Sequence, residues 1–144
     1  MNFAASAAAR RLRREIRGEV AFDDFTRGLY ATDASIYQIQ PRGVVIPKDV
    51  DDVLTLRAIC AEAGVPILPR GAGTSQCGQT VNDAIVVDVS KHLDQIESLD
   101  LEARRVRVQS GVVLDRLNAR LARNGLFFPV DPSTASRATI GGMA

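Results

Sequence analysis

Cysteine is scarce in this chain. Its 144 residues hold only Cys60 and Cys77, too few and too isolated for a disulfide framework, a CxxC redox pair or a zinc site. A reducing compartment therefore suits the chain, and both residues read as plain thiols. Histidine is scarcer still: His92 is the only one, and in SKHLDQI it reads as a surface or packing residue rather than a base. An excess of charge of one sign is also missing. The 18 Lys and Arg against 17 Asp and Glu leave a formal net charge of +1, which gives no global attraction toward nucleic acid or acidic partners. No apolar run is long enough for a membrane span. Nothing reads as a secretory signal, and there is no internal repeat or low-complexity linker. The length suits one domain that buries a core without disulfides or metal.

The first fourteen residues lack acids and combine Ala with Arg, superficially like a transit peptide. Glu15 and Glu19 follow at once, however, and Leu12, Ile16 and Val20 recur at a spacing of four. That spacing predicts an amphipathic helix docked on the body. Arg10, Arg11, Arg13, Arg14 and Arg17 make the helix basic, and a surface that meets an acidic partner or a membrane is the alternative use.

The next stretch has scattered aromatics and no clean period. It reads as a connector whose Phe22, Phe25, Leu29, Tyr30, Ile36 and Tyr37 wrap on a core. Val44, Val45 and Ile46 then form a short strand ended by Pro47. Asp49 is an N-cap, with Asp51 and Asp52 in the first helical turn, where the helix dipole favours anions. Val50, Val53, Leu54 and Ala58 supply the helical stripe and Gly64 closes it. Residues 65–68 are the next strand, so residues 44–68 make one parallel βαβ unit. Residues 84–89, AIVVDV, are a further buried strand. Beyond it, alternation over 96–101 and 105–109 predicts a β-hairpin, and residues 113–124 a helix with Leu114, Leu117 and Leu121 inward and Gly125 at its end.

The richest stretch is PRGAGTSQCGQ, residues 69–79, at the carboxyl end of the second strand, where open α/β sheets usually bind ligands. Gly71, Gly73 and Gly78 permit positive φ and close backbone approach. Successive uncovered N–H groups form a nest for an anion, usually a phosphate. Arg70 adds a permanent cation, and Thr74 and Ser75 add two hydroxyls. The segment predicts a diphosphate cradle; the plainer reading is a tight loop whose glycines serve only turns. A P-loop does not fit, because Gln79 stands where GxxxxGK[ST] needs lysine. A Rossmann turn fits poorly, because the third glycine comes at 78 and a strand follows. Asp88 is too near the loop to be the ribose-binding acid and reads as the end of a strand. Near the other end, DPSTAS, read by itself, is a capped turn with Asp131 and Ser133 bonding their own backbone.

Taken together, YATDAS, PRGAGTSQCGQ and DPSTASRATIGGM resemble the FAD-binding half of flavoproteins of the vanillyl-alcohol oxidase and p-cresol methylhydroxylase (PCMH) family. Within it they are most similar to the glycolate oxidase and D-lactate dehydrogenase branch, in particular the long versions with a C-terminal iron-sulfur region. The match runs from about Leu29 to the final residue. The resemblance implies an α+β, PCMH-type fold: a helix and connector over 1–28, a small parallel subdomain over 42–90, and the start of a second, mainly antiparallel subdomain over 91–144. It implies FAD-binding roles for Pro69, Arg70, Gly71, Ala72, Gly73, Thr74, Ser75 and Gly78 at the pyrophosphate. It also implies roles for Gly111, Pro129, Asp131, Pro132, Ser133, Ala138, Thr139, Gly141 and Gly142 around the flavin.

Several members of the family hold FAD through a histidine in this loop. Thr74 takes that place here, which implies noncovalent FAD. The family continues past GGM into an asparagine- and glycine-containing segment and a cap domain, and the cysteines of an iron-sulfur region are lacking here. The chain is thus expected to be an N-terminal fragment. The parent would be a cytoplasmic dehydrogenase, with peripheral contact at the inner membrane left open, that oxidises a 2-hydroxy acid and passes electrons to an acceptor. No catalytic or metal-binding residue is expected within it. The alternatives are a reductase of the same fold from cell-wall precursor synthesis and a non-enzymatic module that binds through the basic helix.

Overall fold

Ser6 starts the first helix, its hydroxyl accepting the Ala9 N–H at 3.1 Å. The computed structural model describes residues 3–144, and in it this helix, α1 (Ala7–Glu15), buries Ala9 and Leu12. The expected stripe stops at Ile16, whose φ of -88° and ψ of 132° are extended. Val20 lies instead in a strand, β1 (Glu19–Ala21). The cause is one buried carboxylate: Asp52 accepts the N–H groups of Arg17 and Gly18, each at 2.9 Å, the donors that a continuing helix would have used itself. At Gly18 a Cβ would stand 2.1 Å from the Ile46 carbonyl oxygen, so the turn needs glycine.

The connector is partly helical. Asp23 caps α2 (Asp24–Leu29) by accepting from the Thr26 N–H at 2.8 Å. Phe22 is buried, but Phe25, Leu29, Ile36 and Tyr37 are 77%, 60%, 95% and 54% exposed. The expected apolar wrap is therefore not formed by these four side chains. Strand β2 (Gly43–Ile46) leads into α3 (Val50–Glu62), capped by Asp49 as expected, with Gly64 at φ +63° beyond its end. Its inner face differs from the expected one. Asp52, Leu56, Ile59 and Cys60 are buried, whereas Val50 and Leu54 are each 55% exposed and Ala58 is exposed. An acid at the head of the true inward row disguised its period.

Strand β3 (Ile67–Arg70) begins two residues later than expected, and β4 (Ile85–Asp88) is buried throughout. The sheet order is β1-β2-β4-β3, with β4 parallel to both neighbours and β1 antiparallel to β2. The βαβ unit is present, but its two strands flank β4 rather than each other. The first core joins Leu12, Phe22, Val45, Leu56, Ile59 and Ile85.

The second half follows its pattern closely. β5 (Ile96–Asp100) and β6 (Arg105–Val108) pair antiparallel, with Arg104 at φ +49° between them. α4 (Leu114–Ala122) buries Leu114, Leu117 and Leu121, and Gly125 follows at φ +67°. Val112, Leu117 and Leu121 form a second core covered by Leu99, Val106 and Val108 of the hairpin. A loop then returns to a last turn of helix, α5 (Ile140–Met143). The architecture is the α+β arrangement expected, with a first sheet parallel except for β1 and an antiparallel second sheet.

Candidate functional site

β3 and β4 run in register, with Arg70 opposite Asp88, and the glycine loop leaves from the end of β3. Gly73 and Gly78 take φ +67° and +79°, which branched residues tolerate poorly. Among the described residues, the N–H groups of residues 71–76 have no hydrogen bond within the chain. A backbone that leaves successive donors unpaired normally answers them with an anion or water. The loop is held from the connector: the Ala34 N–H donates to the Gly73 carbonyl at 3.2 Å, and the Thr80 hydroxyl donates to Asp33 at 2.9 Å. The Tyr37 ring packs where a Cβ on Gly78 would stand 2.6 Å away. Within the loop, the Ser75 hydroxyl donates to the Gln79 side-chain oxygen.

This loop walls one side of a cleft of about 510 Å³. Of the residues expected at a pyrophosphate, Gly71, Ala72, Gly73, Thr74 and Ser75 line it. Pro69 sits in β3 opposite Val87. Arg70 and Gly78 are not in the lining. Arg70 turns behind the loop: its Nη1 donates to the Thr80 carbonyl at 3.2 Å and reaches that of Tyr30 at 3.5 Å. The cation expected at the pyrophosphate thus lies behind the loop and not in the cleft lining.

The opposite wall comes from the far end of the sequence. Ala138, Thr139 and Gly142 line the cleft together with Met143. Backbone bonds fix this wall: Leu114 N–H to Ala138 O at 3.0 Å, Ile140 N–H to Val112 O at 2.8 Å, and Gly141 N–H to Ser110 O at 2.8 Å. Gly111 and Gly141 lie outside the lining and permit close packing instead. A Cβ on Gly111 would stand 2.2 Å from the Val89 carbonyl oxygen, and one on Gly141 2.4 Å from Ser110 Cβ. Pro129, Asp131, Pro132 and Ser133 also lie outside the lining. The turn they enter closes through backbone, with Ala135 N–H to Pro132 O at 3.0 Å and Ala138 N–H to Thr134 O at 2.7 Å. Among the described residues, no bond from the Asp131 or Ser133 side chain caps it.

Asp88 is buried and occupied: it accepts from the Tyr30 hydroxyl at 2.6 Å and from Ser90 N–H and hydroxyl at 2.8 and 2.7 Å. Burial and that carboxylate push the Tyr30 phenol well above its ordinary value. The supports Tyr30, Asp33, Tyr37 and Thr80 were missed as site residues. The available signal was Asp33-Ala34-Ser35, an Asp-Ser turn inside an aperiodic stretch, where the Ser35 N–H donates to Asp33 at 2.9 Å.

His92 lies at the surface, its Nε2 3.4 Å from Glu19. Cys60 is buried, which pushes its thiol up, while Cys77 is exposed in the cleft lining. A more open cleft of about 1130 Å³ lies elsewhere, near α1. Its cations already have partners: Arg42 grips Asp83 at 3.0 and 2.8 Å, and Arg27 donates to the Pro41 carbonyl at 2.6 Å. The basic helix likewise turns its arginines to its own chain. Arg11 bonds Glu15 and Glu62, Arg14 bonds Glu15, Arg17 meets Asp49 at 2.6 Å, and Arg13 lies 4.8 Å from the Phe22 ring centre. Among the described residues, no cluster of His, Cys, Asp or Glu could hold a metal, and no helix is long and apolar enough to cross a membrane.

The sequence profile of a family described as FAD binding domain matches residues 41–144. The chain belongs to that family. This FAD-binding domain is similar to D-2-hydroxyglutarate dehydrogenase of Pseudomonas putida, 47% identical over 130 residues that cover 88% of the chain and 13% of the relative. It is also similar to the glycolate oxidase subunit GlcD of Bacillus subtilis, 40% identical over 133 residues, 89% of the chain and 28% of that subunit. The chain therefore spans less than a third of each relative's length. In fold it is similar to p-cresol methylhydroxylase with substrate bound, at a TM-score of 0.71 and 18% identity over 91% of this chain and 27% of that one. The PCMH-type fold expected from the sequence is the fold found. The cleft suits FAD by its own chemistry: unpaired N–H donors and the Thr74 hydroxyl on one wall, and Ala138, Thr139 and Gly142, with little bulk, beside Met143 on the other.

Proposed function

We propose that these residues are the FAD-binding part of a flavin-dependent dehydrogenase that oxidises a 2-hydroxy acid to the 2-keto acid. The observation that carries this reading is the row of unpaired N–H groups over residues 71–76, in a loop that lines one cleft with Thr139, in a chain 47% identical to a D-2-hydroxyglutarate dehydrogenase. FAD, when bound, supplies an acceptor for the hydride leaving the hydroxy-acid carbon. The N–H groups of residues 71–76 would hold its diphosphate, and the Thr74 hydroxyl would add a neutral donor, that of Ser75 being committed to Gln79. Ala138, Thr139 and Gly142 leave room for a flat ring. By the resemblance Pro129, Asp131, Pro132 and Ser133 would lie near that ring, and Gly111 and Gly141 would serve it through the close packing behind the Thr139 wall.

The substrate belongs to the D-2-hydroxyglutarate, glycolate or D-lactate class. Thr74 at the position of the linking histidine makes the FAD noncovalent. No side chain here is placed as the base that removes the hydroxyl proton. That group, and the acceptor that takes the electrons, an iron-sulfur region or another carrier, belong to other parts of the parent protein.

The test is a visible spectrum of the full-length protein before and after acid precipitation, followed by anaerobic addition of each candidate hydroxy acid. A flavin spectrum that passes into the supernatant and bleaches with one of these acids is the expected result. Colour retained in the pellet would contradict noncovalent binding. A colourless protein that takes up no added FAD would overturn the flavin reading.

A further inference from the structure

Arg70 is a permanent cation one residue before the glycine loop, yet it does not line the cleft. Its guanidinium is held at three points. Nη1 bonds the carbonyls of Thr80 and Tyr30, at the two ends of the material that surrounds the loop. Its Cζ lies over the Tyr30 ring, 5.2 Å from the ring centre. Nη2 lies 2.5 Å from the place a Cβ on Gly73 would take. Both acceptors are neutral carbonyls, and among the described residues no carboxylate forms an ion pair with Arg70. The guanidinium sits against Gly73, a residue that lines the cleft, with the Asp88 carboxylate at the hydroxyl end of the Tyr30 ring.

Tyr30 is fixed in turn. Its hydroxyl donates to Asp88, which is 8% exposed and itself held by Ser90. Asp88 pairs with Arg70 in the ladder between β4 and β3. The contacts thus close a ring from the sheet through Asp88, Tyr30 and the guanidinium to Thr80 and back along the loop to β3. A guanidinium suits this post because its planar fork satisfies two carbonyls and stacks on an aromatic face at once.

We propose that Arg70 is a positioning residue for the anionic cofactor, acting from behind the loop: it holds residues 71–80 in the shape that aims their N–H groups into the cleft, and Tyr30 holds Arg70. This rests on the flavin reading for the identity of the anion, though not for the clamp itself. A side chain reaching out to phosphate would leave the unliganded loop unaffected when removed. A clamp would not.

The experiment compares wild type, Arg70→Met, Arg70→Lys and Tyr30→Phe in the full-length protein. Amide hydrogen exchange is followed in protein freed of FAD, and FAD affinity by fluorescence titration. Arg70→Met is expected to speed exchange across residues 71–80 while leaving the hairpin of β5 and β6 unchanged, and to weaken FAD at least about tenfold. Arg70→Lys keeps the charge but loses the fork, and should recover part of the affinity. Tyr30→Phe keeps the ring and loses only the hydroxyl, so it should reproduce both effects at about threefold in affinity. It serves if Arg70→Met does not fold. Weaker FAD binding with wild-type exchange in the loop would overturn the proposal and make Arg70 a direct phosphate ligand. Exchange and affinity both unchanged would overturn it as well. Wild-type protein that takes up no FAD would sink the flavin reading instead, and exchange in Arg70→Met would still decide whether the clamp exists.

Discussion

Gly71 and Thr139 stand so close across the cleft that a Cβ on the glycine would lie 2.2 Å from the threonine hydroxyl oxygen. Thr139 has little freedom to retreat. It is 2% exposed, pairs with Val113 through backbone, and its hydroxyl accepts the Gly142 N–H at 3.2 Å. Gly71→Ala is therefore expected to push the two walls apart, costing about 1–3 kcal/mol of stability and weakening FAD at least about tenfold. Thermal melts with a parallel FAD titration check both, and wild-type affinity in the variant would show that the two walls do not act together.

Gly73 combines φ +67° with a missing Cβ that would point at Arg70 rather than at the cleft. The sequence alone suggests that Gly73→Val blocks the approach of the pyrophosphate directly. The structure gives another cause: the added carbons strain the backbone, by about 1–2 kcal/mol for the positive φ alone, and displace the guanidinium. The effects of Gly73→Ala and Arg70→Met on FAD affinity should then be less than additive, and a double-mutant cycle measures the shortfall.

Asp52 supplies the test by pH. Burial by itself would raise its carboxyl, but the N–H groups of Arg17, Lys48 and Gly18 and the charge of Arg17 together hold it below the ordinary value of 3.8. A group lowered in the folded state contributes stability that is fully present above the unfolded value and is lost as pH falls through the folded one. Acid unfolding monitored by circular dichroism should accordingly steepen below about pH 3.8. Asp52→Asn should remove about 3 kcal/mol near neutral pH by leaving donors facing an amide nitrogen, and should flatten that acid limb.

Leu117 is 1% exposed at the centre of the second core. Leu117→Ala should cost about 2–5 kcal/mol through the cavity left behind, visible as a lower urea midpoint. A change under about 0.5 kcal/mol would mean that α4 is not packed on the hairpin as described.

Most of the second half was legible because its elements are amphipathic on their own. Leu114, Leu117 and Leu121 declare one helical face, and the hairpin alternates around its turn. The first half was harder to read for the same physical reason in reverse. Its inward row on α3 begins with a charged residue, and Asp52 both hides the helical period and ends the preceding helix through Arg17 and Gly18. The glycine loop, with positive φ at Gly73 and Gly78, could be read from residue types alone. The direction of the Arg70 side chain could not, since it depends on Tyr30 and Thr80, which sequence spacing does not bring together.

The position of β4 between β2 and β3 sets an order of assembly. Until residues 85–88 have joined, the two strands around α3 have no common partner and the end of β3 has nothing to be in register with. A nascent chain therefore exposes two unpaired parallel edges through the synthesis of the whole glycine loop, and contacts of this sequence separation are slow to close. The contacts of the loop with Asp33, Ala34 and Tyr37 can form once it is made, but the Tyr30 to Asp88 bond needs the later strand, so the loop should reach its final shape late in folding and not with the helix and strand that precede it.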